Sequence, residues 1–222
     1  MPVNRENYLS IIKELKIAGA TLVAVSKIRS PEEILQLYQL GQRDFGENYV
    51  QELVDKQAKL PQDIRWHFIG HLQTNKVKYI APFIYMIQGV DSLKLLKEIN
   101  KQALKCNRKI NVLLQMHIAQ EETKFGLDED KLDEILKNEE DLLTGVNLCG
   151  LMGMASFTDN EEQVAQEFEH LKVKFAHYIQ EHAKADQSQI LSMGMSGDYR
   201  IALQKGSNMV RIGSLLFGQR GK

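Results

Sequence analysis

The sequence predicts an α/β fold, a single (β/α)8 TIM barrel with an extra N-terminal helix. Three observations carry this. Eight short apolar runs alternate with amphipathic stretches along the whole chain, the pattern of parallel strands covered by crossover helices. The length of 222 residues falls within the roughly 200–250 that such a barrel fills undivided. An amphipathic stretch from about Arg5 to Ile17 precedes the first run. A doubly wound open sheet is the structural alternative, because it shows the same alternation.

Each element has a local reason. Thr21 to Ser26 is a continuous apolar run closed by Lys27, which reads as a strand buried on both faces. Ser30-Pro31-Glu32-Glu33 starts a helix: serine caps, proline suits the first position, and the acids suit the positive end. Ile34, Leu35, Leu37, Tyr38 and Leu40 form its apolar face, and Gly41 ends it. Arg43 to Gly46 is the second strand, followed by a helix from about Tyr49 to Leu60. The third strand is Ile64 to Ile69, with a helix near Asn75 to Ile80. Tyr85 to Val90 is the fourth strand, and Asp91-Ser92 caps the next helix. The fifth strand, Ile110 to Ile118, leads to a helix from Asp130 to Leu143. The sixth is Leu148 to Met154; Thr158-Asp159 then caps a long helix to about Ala183. Gln189 to Met193, a short helix around Tyr199 to Leu203, and Met209 to Ile212 complete the count.

Composition excludes several function classes. The 28 basic and 29 acidic side chains balance at −1, giving no global case for nucleic acid or an acidic membrane surface. No apolar segment approaches the ~18 residues a membrane span needs. Met1 to Lys16 is polar and charged, unlike a signal peptide. The two cysteines, Cys106 and Cys149, form no CxxC pair and read as free thiols of a reducing, cytoplasmic compartment. No GxGxxG, P-loop, GxSxG or HExxH pattern occurs. One domain over residues 1–222 is expected.

The chemistry gathers at strand ends. A lysine closing a buried strand sits where barrels keep their active groups, and a desolvated amine can attack a carbonyl to form a Schiff base. The plainer reading of Lys27 alone is a surface lysine opening a loop. Strand seven runs into Ser192-Met193-Gly194-Met195-Ser196-Gly197-Asp198, and strand eight into Arg211-Ile212-Gly213-Ser214. Small residues ahead of a helix start let backbone N–H groups approach an anion, and barrels commonly hold phosphate on these two loops. Ordinary turn chemistry is the plainer reading of either loop alone. Arg211, embedded among apolar neighbours, needs a partner: a carboxylate, a phosphate or a ring nitrogen.

Asn48 follows the second strand and can cap a helix or serve a ligand. His67 and His71 are four apart, but on a strand that spacing separates them by roughly 13 Å at ~3.3 Å per residue. A shared metal is therefore not expected, and His67 is read as structural or pocket-lining. Lys76 is read as a solvated helix residue, and Glu121, Glu122 and Lys124 as rim charges. Met152, Met154, Met193 and Met195 are read as barrel filling, with Met152 also able to pack against a flat ring.

V-A-V-S-K to Lys27, F-G-E-N-Y-V-Q-E from Phe45, W-H-F-I-G from Trp66, and L-Q-T-N-K to Lys76 are followed by G-L-M at Gly150, S-M-G-M-S-G-D from Ser192, V-R-I-G to Gly213, and F-G at Phe217. These motifs run in order over nearly the whole chain, and in them the chain resembles the pyridoxal 5′-phosphate homeostasis proteins, relatives of the alanine racemase barrel domain. The resemblance implies a cofactor, pyridoxal 5′-phosphate, held as a Schiff base on Lys27. Ser196, Gly213 and Ser214 would hold the phosphate, Arg211 would lie beside the pyridine nitrogen, and Asn48 near the ring. The family often has threonine where this chain has Asn208 and Ser214; Ser214 keeps the hydroxyl. A monomer is favoured by the same resemblance.

Pyridoxal enzymes use a protonated ring as an electron sink, and a permanently charged arginine at the ring nitrogen disfavours that protonation. Racemase relatives draw their second base from a region with an additional β domain, and only about ten residues follow strand eight here, too few for such a domain. The expectation is a cofactor carrier or buffer in vitamin B6 and amino-acid homeostasis without robust catalysis, meeting apo pyridoxal-phosphate enzymes transiently. A weak amino-acid racemase and a phosphate-binding barrel unrelated to pyridoxal are the alternatives.

Overall fold

The computed structural model describes residues 3–121, 125–139, 143–182 and 189–219. Eight parallel strands close into one barrel in chain order. They are β1 (Thr21–Val25), β2 (Asp44–Glu47), β3 (Arg65–Phe68), β4 (Met86–Val90), β5 (Ile110–Met116), β6 (Val146–Gly153), β7 (Ile190–Ser192) and β8 (Met209–Ile212). Closure rests on the pairing of β1 with β8, where Thr21 to Ala24 align with Met209 to Ile212. That pairing settles the barrel against the open sheet.

The helices are α1 (Arg5–Ala18), α2 (Pro31–Gln39), α3 (Val50–Gln57), α4 (Val77–Ile80), α5 (Leu93–Lys105), α6 (Glu129–Glu139), α7 (Glu161–His182), α8 (Tyr199–Gln204) and α9 (Ser214–Phe217). Ser30 and Glu33 form the reciprocal cap of α2. Three expectations are corrected by local chemistry. Asn48 caps nothing: α3 begins after Tyr49, without a side-chain cap. The cap of α7 is Asn160, whose Oδ1 accepts the Gln163 amide at 3.2 Å, one residue beyond Thr158-Asp159. The helix expected at Asn75–Ile80 is a 3-10 turn over Thr74–Lys76 running into the single turn of α4. Glu122, Lys124 and Ala183 lie outside the described residues.

The extra helix α1 packs against the end of the chain. Leu216 O accepts the Asn4 amide at 2.7 Å, Leu215 O accepts from Asn7 Nδ2 at 3.1 Å, and Glu14 pairs with Arg200 of α8. It thus backs the two glycine-serine loops from outside. Between strands and helices the core is apolar; Phe45, Phe68, Phe168 and Phe217 are its largest fully buried rings. In β6, Gly150 takes φ +141° at a register shift against β5, where a Cβ would meet Ile190 O at 2.0 Å. Only glycine fits there.

The barrel interior is not uniformly apolar. Val23, Met86, Leu113, Cys149, Met152 and Met209 fill part of it, and burial there pushes the Cys149 thiol up to about 11. Beside them a column of hydrogen bonds crosses from the N-terminal to the C-terminal face. Arg65 grips Asp44 with two bonds of 2.7 and 2.5 Å. Asp44 Oδ1 meets His67 Nε2 at 3.0 Å, and Gln88 Nε2 meets His67 Nδ1 at 3.0 Å. Gln88 Oε1 accepts from Ser192 Oγ at 2.7 Å, and Ser192 Oγ accepts from Arg211 Nη1 at 2.6 Å. Since the Gln88 amide donates to Nδ1, His67 carries its hydrogen on Nε2 and gives it to Asp44. Every donation therefore runs from Arg211 toward the Asp44 carboxylate.

Burial opposes ionisation of Asp44, but hydrogen bonds from Arg65 and His67 outweigh it and hold the carboxyl below its ordinary 3.8. A depressed folded value means the stabilisation is complete above 3.8 and is lost as pH falls through the lower folded value. Asp44→Asn should cost about 1–3 kcal/mol at pH 7, read from urea midpoints. The gap to the parent should narrow as pH drops below 3.8. Phe168→Ala should cost about 3–5 kcal/mol through the cavity left under α7, lowering the urea midpoint with the slope unchanged.

Candidate functional site

A cavity of about 430 Å³ opens at the C-terminal ends of the strands. Lys27, Asn48, Ser196, Arg211, Gly213 and Ser214 all line it. Six of the eight residues singled out in sequence thus share one space. Lys27 stands two residues past the end of β1, in a turn rather than on the strand. The next residue, Ile28, takes φ +61°. A β-branched side chain in that region is strained by of order 1–3 kcal/mol.

Arg211 projects inward from β8 and is 3% exposed. Its Nη1 donates to Ser192 Oγ and its Nη2 to Gly153 O at 2.9 Å, so its rear is tied to β6 and β7. Burial pulls the guanidinium down to about 10, with Asp198 acting in the opposite direction. It remains a cation at neutral pH. The loops after β7 and β8 are stitched together by the Gly213 amide, which donates to Ser196 Oγ at 3.2 Å. Gly194, at φ +95°, lets the first loop lie against α8, where a Cβ would meet Ala202 at 2.6 Å.

Alternation places Asn48. Along β2, Gly46 faces Val23 and Ile69 inside the barrel, Glu47 faces α3, and Asn48 turns inward again. Its Oδ1 is buried with no hydrogen-bond partner, an acceptor that a ligand donor would satisfy.

His67 and Met152, expected to reach a ligand, do not line the cavity. His67 is fully buried between Asp44 and Gln88, and Met152 belongs to the apolar interior cluster. Both point inward as period-two alternation requires, but barrel interiors stack in layers, and these residues occupy positions away from the mouth. His71 bonds Asp91 at 2.9 Å and stacks on Phe125, in surroundings unlike those of His67. Asn208, where the family often has threonine, ties β7 to β8. Its Oδ1 accepts the Leu191 amide and its Nδ2 donates to Gln189 O, both at 2.8 Å.

The cavity also holds residues that sequence reasoning passed over. Arg29 lines it, with Nη2 donating to Gly218 O at 2.6 Å. The signal was its position two residues beyond Lys27. Phe157, 98% exposed, stands at the mouth. Among the described lining residues there are three cations, Lys27, Arg29 and Arg211, and no carboxylate. Ile69, Met154 and Phe157 supply apolar faces. The arrangement suits a flat, anionic ligand with a carbonyl group for the Lys27 amine.

Known proteins resemble this chain in sequence and fold. The family model of the alanine racemase N-terminal domain matches residues 5–221. A pyridoxal phosphate homeostasis protein of Aquifex aeolicus is 39% identical over 202 residues, covering 90% of this chain and 87% of that protein. One of Homo sapiens is 34% identical over 218 residues, covering 94% and 79%. The structure of PipY from Synechococcus elongatus PCC7942 with PLP bound is 32% identical with a TM-score of 0.86, covering 96% of this chain and 99% of that one. An alanine racemase of Clostridium difficile 630 shares the fold at a TM-score of 0.72 and 16% identity; this chain covers 62% of it. The chain belongs to the alanine racemase N-terminal domain family and, within it, to the pyridoxal phosphate homeostasis proteins.

Proposed function

We propose that this chain is a single barrel domain over residues 1–222 that binds pyridoxal 5′-phosphate as a Schiff base on Lys27. It serves vitamin B6 and amino-acid homeostasis in the cytoplasm, as a monomer, without robust catalysis, and meets apo pyridoxal-phosphate enzymes transiently. The observation that carries the reading is the cavity itself. A lysine past the end of β1, a buried arginine on β8 and a stitched pair of glycine-serine loops meet in a lining of three cations and no carboxylate.

The residues present fit the cofactor. Ser196, Gly213 and Ser214 would hold the phosphate, and the cationic lining would favour its charge. Lys27 would hold the aldehyde end through its amine. The orphaned Asn48 Oδ1 would accept a hydrogen bond from the ligand. Bound pyridoxal phosphate supplies the aldehyde and, when its ring nitrogen is protonated, an electron sink. Arg211 has only donors to offer that nitrogen, so it stabilises the unprotonated ring and weakens the sink. Among the described lining residues, Lys27 is the one side chain suited to proton transfer at neutral pH. A second base on the opposite face, which racemisation requires, has no candidate among them.

Purified protein loaded with pyridoxal phosphate should be yellow, and borohydride should fix the cofactor to one lysine. Lys27→Ala should abolish the fixed adduct; an undiminished yield would refute the anchor. Arg211→Glu should shift the absorption spectrum by allowing ring protonation, and an unchanged spectrum would count against ring contact. Incubation with L- and D-amino acids should give no cofactor-dependent turnover at the ~1 s⁻¹ or more typical of enzymes. Turnover at that rate would replace the carrier reading with a racemase or another pyridoxal enzyme.

A further inference from the structure

We propose that the triad of Glu47, Lys56 and Glu52 is a positioning device for Lys27: it pins the peptide groups on both sides of that residue and so aims its amine into the cavity. This rests on the reading of Lys27 as the covalent anchor.

Lys56 lies on α3 and is 4% exposed. An ammonium has three hydrogens to donate, and Lys56 Nζ has three acceptors: Ser26 O at 2.7 Å, Glu47 Oε1 at 2.7 Å and Glu52 Oε1 at 2.6 Å. Ser26 immediately precedes Lys27 and is fully buried. Its hydroxyl donates to Glu47 Oε1 at 2.6 Å. Ile28 immediately follows Lys27, and its amide donates to Glu52 Oε1 at 2.5 Å. The carbonyl before Lys27 and the amide after it are therefore held by one ion cluster.

The conformation so held is one the chain would not adopt unaided. Ile28 sits at φ +61°, which a β-branched residue avoids. Its side chain is 62% exposed, so packing does not offset the strain. The bond to Glu52 does. Strain of this kind persists where the surroundings over-determine it, and it concentrates at functional sites. Burying the Lys56–Glu47 pair is also a poor route to stability, since apolar packing of similar volume does as well or better. The cluster has a second link to the mouth: α3 starts two residues after Asn48, with Tyr49 at its N-cap.

Glu52→Ala tests this gently, because the Glu52 side chain is 22% exposed and its loss leaves Lys56 paired with Glu47. Two ligands separate aim from general damage. Pyridoxal 5′-phosphate reports covalent capture, by absorbance and by borohydride fixation at Lys27. Pyridoxine 5′-phosphate, which lacks the aldehyde, reports non-covalent binding by equilibrium dialysis. Covalent capture by Glu52→Ala should be roughly tenfold or more slower, with pyridoxine 5′-phosphate affinity unchanged within about twofold. Without ligand, amide hydrogen exchange at Ile28 should accelerate. Adding Ile28→Gly should restore much of the capture rate, because glycine enters the positive-φ region without strain. Capture at the parent rate would overturn the proposal, as would a proportional loss of pyridoxine 5′-phosphate binding, which would mark ordinary structural damage. A parent protein that forms no adduct at Lys27 would instead overturn the covalent reading and this inference with it.

Discussion

Arg211 carries a positive charge into the interior of a closed barrel, where 3% of its surface meets solvent. An isolated charge there would cost far more than folding yields. Among the described residues no carboxylate is bonded to it; Asp198 favours the charge from nearby, and a chain of hydrogen bonds leads away from it. Ser192, Gln88 and His67 pass a chain of donations down to Asp44, which Arg65 holds ionised at the opposite face. Residues from five of the strands join this column, so the charge at the mouth and the closure of the barrel depend on one another. Without closure, Ser192 on β7 and His67 on β3 would lie at distant positions of a sheet, with Gln88 on β4 joining only the latter.

The mouth is built on that fixed cation. Lys27 and the glycine-serine loops come from strands adjacent in the closed barrel, β1, β7 and β8, and Asn48 from β2 completes the arc. The outer helices hold this arc from behind. α1 ties to the chain segment after β8 and to α8, and α3 ties to the backbone on both sides of Lys27.

The elements were legible in sequence because hydrophobic periodicity and capping act locally. The Ser30–Glu33 cap and the run from Thr21 to Val25 needed no tertiary information. That His67 and Met152 belong to the barrel interior was legible too, from residue type and place on a strand. Depth along the barrel axis was not. His67 and Met152 point inward as read, yet neither lines the cavity, because layer position follows from strand stagger rather than from residue type. Asn48 illustrates the opposite ambiguity: capping and ligand binding ask for the same chemistry, and only the start of α3 after Tyr49 separates them.

By itself the sequence determined the alternation of strands and helices, the lysine after the first strand and the two loops after strands seven and eight. Each is written in contiguous residues, and their occurrence together at successive strand ends is what singles them out. Only the tertiary structure decided that β1 closes on β8, that Arg211 is joined to Asp44 by hydrogen bonds through three intermediate side chains, and that Lys56 of α3 grips the turn around Lys27. Those facts join residues 20 to 190 positions apart, and no local preference encodes which distant partner a buried charge will find.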